Sequence, residues 1–125
     1  MDDQTFVEIV NLALESLPEE FKEKLDNVEV VVEDLPSILQ MKKMYARGER
    51  GILLGLYEGI PHTRRGAYGI GGPLPDKITL FKINILRISR SPDDIKFNVN
   101  DTVIHEIGHH FGLTDAEIYK AQKNL

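Results

Sequence analysis

Residues 91–115 read SPDDIKFNVNDTVIHEIGHHFGLTD, and the architecture turns on this stretch. It opens as a helix start. Ser91 can cap, Pro92 suits the first helical position, and Asp93 and Asp94 face the positive end of the helix dipole. Ile95, Val99, Val103, Ile107 and Phe111 then recur at every fourth position, with Ile104 widening the stripe, so a helix is predicted to run to about Phe111 with this face on the core. Lys96 and Asn100 interrupt the stripe early. Gly112 can take the left-handed conformation that stops a helix, and Thr114 with Glu117 makes a capping box for a last short helix.

Three of the four histidines fall on this helix, in His105-Glu106-Ile107-Gly108-His109-His110. Histidines four apart project from one helical face in adjacent turns, where both imidazoles can reach a single Zn²⁺ at about 2.0–2.1 Å. Glu106, one step round, is not a natural ligand but is placed to take a proton from water at that ion. A zinc site needs a further protein ligand. Past the turn at Gly112, Asp115 completes H-E-x-x-H-x-x-G-x-x-D and is the expected third ligand, with Glu117, His62 and Glu58 as rivals. One Zn²⁺ per chain is therefore expected on His105, His109 and Asp115, with Glu106 catalytic. His110 falls nearer the apolar stripe and is expected to be a core histidine bonded to a carbonyl or carboxylate.

Working outward, residues 3–16 place Phe6, Ile9, Val10, Ala13, Leu14 and Leu17 at helical spacing, and Pro18 starts a second short helix ending near Leu25. VEVVVE (28–33) reads as a strand, as do ILLGLYEG (52–59) and ITLFKI (78–83). Residues 35–46 are ambiguous: Ile38, Leu39, Met41 and Met44 have roughly helical spacing, and the methionines read as core filler. The run 60–76 is rich in glycine and proline and reads as a long loop. ILRISRS is expected to form a short helix. Helices flanking three strands predict an α+β single domain over residues 1–125.

The composition narrows the function. The chain of 125 residues has no cysteine, which removes disulfides, thiolate metal sites and a cysteine nucleophile. Its formal charge of −5, with Arg47, Arg50, Arg64, Arg65, Arg87 and Arg90 scattered among a larger number of acids, argues against nucleic acid or a membrane as partner. The start MDDQTFVEIV carries acids where a signal peptide carries Lys or Arg, so a cytoplasmic location is expected. Oligomeric state is not legible.

The string from His105 to Asp115 is similar to the metzincin pattern with aspartate as third ligand, but no methionine follows it to form that group's Met-turn. The chain more fully resembles the minimal zincins, or zincin-like metallopeptidases, a family of small bacterial proteins. The resemblance rests on LPEEF (17–21), VEVVVED (28–34), GLYEGIP (55–61), LPDKITLF (74–81) and TVIHEIGHHFGLTD (102–115). It implies a compact zincin-like fold, a small mixed sheet packed on helices, with the H-E-x-x-H helix near the C-terminus. It also implies zinc-dependent hydrolysis of a peptide or protein by Glu106 acting with zinc on His105 and His109. The oxyanion-stabilising group is not named by the sequence; Tyr57, Tyr68, Tyr119, His62 and Arg64 are candidates. ILLGLYEG is the candidate edge strand for substrate, the competing reading being an interior strand followed by a plain connecting loop. The competing reading is a zincin-fold metal-binding interaction module with little or no turnover.

Overall fold

The computed structural model describes residues 1–59 and 75–123. Among these it has helices α1 (Asp3–Glu15), α2 (Glu19–Lys24), α3 (Ile38–Ala46), α4 (Lys82–Arg87), α5 (Pro92–His110) and α6 (Asp115–Lys123). The strands are β1 (Val28–Glu33), β2 (Gly55–Glu58) and β3 (Asp76–Phe81). The sheet order is β1-β3-β2, with β1 parallel and β2 antiparallel to β3. The architecture is thus α+β with a mixed sheet, as the sequence predicts.

The helix that decides the fold is α5. Ser91 caps it by accepting from the Asp94 N–H at 3.1 Å, and Pro92 opens it. Ile95, Val99, Val103, Ile104 and Ile107 are buried and pack with Phe6, Val10 and Ala13 of α1 and with Ile78 and Leu80 of β3. A fully buried aliphatic side chain contributes about 1.5–3 kcal/mol, so this seam is the main reason α5 lies where it does. Asn100, the polar interruption of the stripe, is also buried; its amide donates to Ser16 Oγ at 3.0 Å where α1 ends. Phe111 departs from expectation. It follows the last residue of α5 and is 47% exposed, because the chain turns at Gly112 (φ +71°) before the stripe can continue.

Other elements depart more. The strand expected over 52–59 is confined to Gly55–Glu58, the part that pairs with Lys77–Leu80. The third strand starts two residues early, drawn into parallel register with β1 from Val28↔Asp76 to Glu33↔Phe81, and gives way at Lys82 to α4. The ambiguous segment is helical, capped by a Ser37–Gln40 capping box. Its core face, however, is Gln40 and Met44; Ile38 and Leu39 are 76% and 66% exposed. The expected loop at 60–76, including His62, Arg64 and Tyr68, lies outside the described residues apart from its last two positions. No helix among the described residues is long and apolar enough to cross a membrane.

Candidate metal centre

His105 and His109 stand one turn apart on α5, their rings edge to face with centroids 4.3 Å apart. The group that meets them comes from α3. That helix ends in a Schellman turn: Gly48, at φ +79°, donates its N–H to Tyr45 O at 2.9 Å, and Glu49 N–H returns to Met44 O at 3.2 Å. The reversal aims Glu49 at α5. One ligand atom each from Glu49, His105 and His109 lies within 4.8 Å of the others.

Two nitrogens and a carboxylate oxygen are a donor set that suits zinc. Around a tetrahedral ion such atoms sit ~3.3 Å apart, a spacing inside the 4.8 Å within which the three already lie. Glu49 and His105 are half-buried and His109 is exposed, which leaves one side of the cluster open.

Glu106, the next residue after His105, is 3% exposed and lines a cleft that His105 and Glu49 also line. Its Oε1 accepts the backbone N–H of Tyr57 in β2 at 2.8 Å and lies 3.4 Å from Arg47 Nη2, which also reaches Glu49 Oε2 at 3.4 Å. The sheet edge therefore holds this carboxylate. β2 can come so close because Gly55 has no side chain: a Cβ there would stand 2.6 Å from Thr102 Cγ2 on α5. Asp101, one turn before His105, lines the same cleft; burial raises its pKa above the usual carboxylate value, and the nearby His105 opposes that rise.

The other sequence candidates fall as follows. Asp115 opens α6 as an exposed residue and is not in the cluster of ligand atoms found among the described residues. The turn that leads to it is nonetheless formed as expected, with Leu113 N–H bonded to Gly108 O at 2.8 Å and Thr114 and Glu117 in a reciprocal capping box. Gly108, inside the motif, lets α6 return: a Cβ there would meet Ile118 Cγ1 at 2.5 Å. Glu117 is engaged by Thr114, and Glu58 by Lys43 and Gln40. Tyr57 directs its hydroxyl to Asp76 Oδ2 at 2.6 Å, and Tyr119 is 62% exposed. His110 is not a core residue. Its side chain is 38% exposed, stacked on the Tyr57 ring at 3.9 Å with Nε2 3.8 Å from Asp76 Oδ2, because the last turn of α5 runs to the surface.

Glu49 joins this cluster although the sequence reading did not single it out. The available signal was Gly48: a glycine closing a helix over 38–46 fixes the direction of the residue after it.

The cleft, of about 250 Å³, is lined by Glu49, His105 and Glu106 together with Met44, Leu53 and Gly55, the first residue of β2. Residues 25–124 match the family of zincin-like metallopeptidases, and the chain belongs to that family. Among solved structures it is similar to a conserved hypothetical protein from Thermus thermophilus. The two share 27% identity over 89% of this chain and 94% of that one, with a TM-score of 0.52. None of the curated proteins matches.

Proposed function

We propose that this protein is a zinc-dependent peptidase, holding one zinc on His105, His109 and Glu49 and using Glu106 as general base. The observation that carries this reading is the convergence of Glu49 on the two histidines beside a buried glutamate of the same helix. Family membership supports the reaction class. Asp115 is the alternative third ligand, on the strength of the sequence pattern alone.

Bound zinc would polarise a peptide carbonyl and acidify water at the site. The residues of the chain supply the rest. With Oε1 held by the Tyr57 N–H, Glu106 presents Oε2 to remove a proton from water and then deliver it to the leaving amine. Among the described residues strand β2 is an edge of the sheet, so an extended peptide can lie along it with its backbone beside Glu106. The acidic chain without cysteine suits action in the cytoplasm on a peptide or protein, not on nucleic acid or at a membrane.

Metal content by elemental analysis, on native protein and Glu106→Gln, paired with digestion of a mixed peptide library, tests the proposal. One zinc in each with cleavage by native protein alone is the expected result. Zinc in both without cleavage by either would favour the interaction-module reading, and no zinc in either would refute the metal site. Zinc affinities of Glu49→Ala and Asp115→Ala separate the two carboxylates. Loss of about tenfold or more is expected for Glu49→Ala and little for Asp115→Ala; the reverse order would make Asp115 the ligand.

A further inference from the structure

Beside the metal cleft lies a second cavity, of about 310 Å³, and the two share the walls Met44, Ile52 and Leu53. They differ in chemistry. The metal cleft carries Glu49, Arg50, Asp101 and Glu106, whereas no ionisable side chain among the described residues lines its neighbour. Leu35, Pro36 and Met41 complete the apolar wall. Asn84, its one polar side chain among the described residues, donates its amide to Leu53 O at 2.9 Å and so braces the backbone of that wall.

The apolar surface is also left open to water. Ile52 and Leu35 are 59% and 48% exposed, while Met44 and Leu53 beneath them are nearly buried. Exposed apolar groups around a buried apolar floor are what a bulky hydrocarbon side chain would cover. Continuity with the cleft says what brings that side chain there. Residues 52–54 lead directly into β2, so a chain lying along the β2 edge passes the shared wall.

We infer that this cavity is a specificity subsite, taking a large apolar side chain (Leu, Met or Phe) of a peptide whose backbone lies along β2 at the metal centre. The inference rests on the peptidase reading and adds the substrate class. Burial of one such side chain is worth a roughly 10- to 100-fold preference over glycine, and aspartate is disfavoured because the lining among the described residues offers it no cation.

The test uses zinc-loaded Glu106→Gln protein, in which the amide oxygen can still accept the Tyr57 N–H, and fluorescent heptapeptides. These differ only in their two central residues: Gly-Gly, Gly-Leu, Leu-Gly or Gly-Asp. Fluorescence anisotropy should show at least one leucine peptide binding tenfold or more tightly than Gly-Gly, and Gly-Asp no better than Gly-Gly. Leu35 lines the apolar cavity and not the metal cleft, so Leu35→Asp probes the subsite alone. Because Leu35 is exposed, the substitution should keep the fold and the zinc content, and the leucine preference should fall below threefold. Equal binding of all peptides, or a leucine preference that survives both Leu35→Asp and Ile52→Asp, would overturn the subsite while leaving the metal centre standing. Protein that takes up no zinc would instead overturn the peptidase reading beneath it.

Discussion

Gly55→Ala should loosen the contact on which the candidate site is built. The added methyl would stand 2.6 Å from Thr102 Cγ2, 3.1 Å from Thr79 O and 3.3 Å from Leu80 Cδ2. The first distance cannot be tolerated, and two of the three neighbours are a fixed backbone oxygen and a side chain of the packed core. Overpacking of this kind costs about 1–3 kcal/mol. Replacing glycine by alanine returns about 0.4–1 kcal/mol through the unfolded chain, leaving a net loss of about 1–2 kcal/mol. For a chain of 125 residues this is a fall in Tm of roughly 4–8 °C. Relief should come from Thr102→Ser, which deletes the clashing methyl. The double variant should then be more stable than the sum of the single changes by about 1 kcal/mol, read as a double-mutant cycle in urea. If Gly55→Ala melts at the native temperature, or the two changes are additive, then β2 does not lie against α5 as described and the Tyr57–Glu106 bond loses its basis.

Three more expectations come from the same geometry. Glu106→Ala leaves the Tyr57 N–H buried without its acceptor and should cost about 1–3 kcal/mol in urea unfolding, whereas Glu106→Gln should cost much less; equal losses would count against the bond. Gly48→Ala meets no atom within 4 Å but must hold φ +79°, so it should cost about 1–2 kcal/mol of stability and weaken zinc binding by turning Glu49 aside; unchanged zinc affinity would argue for Asp115. Burial raises the pKa of Asp101, so the folded state holds that proton more tightly than the unfolded state. Its contribution to stability is therefore fully present below the unfolded value of 3.8 and is lost as pH rises through the higher folded value. Asp101→Asn should flatten the stability–pH curve in that window, and an unaltered slope there would show that Asp101 is not desolvated.

How much was legible in the sequence depended on how local the cause is. The capping serine and acids at 91–94, the four-residue spacing from Ile95 to Ile107 and the glycine at 112 act within a few residues of each other, and α5 begins and turns where they indicate. The strand at 28–33 was equally readable, since β-branched residues bounded by a turn have few alternatives. Periodicity failed where burial depends on what lies opposite. Ile38 and Leu39 have helical spacing but face water, and His110 and Phe111 continue a stripe that has already left the core.

The candidate centre divides along the same line. His105, Glu106 and His109 share one helix, so their spacing alone brings two imidazoles to one face and sets the glutamate apart from them. The burial of Glu106, and the bond that ties it to β2, could not be read from that helix. They require a strand that can approach because residue 55 is glycine. Glu49 is the clearest case. No spacing links it to His105; a left-handed glycine reverses the chain after α3, and Arg47 at the end of that helix reaches Glu106 on α5, so Glu49 comes to the histidines. Sequence determines what a helix can offer on each face, because that is local stereochemistry. Which distant group meets that face is decided by packing, and only the tertiary structure carries it.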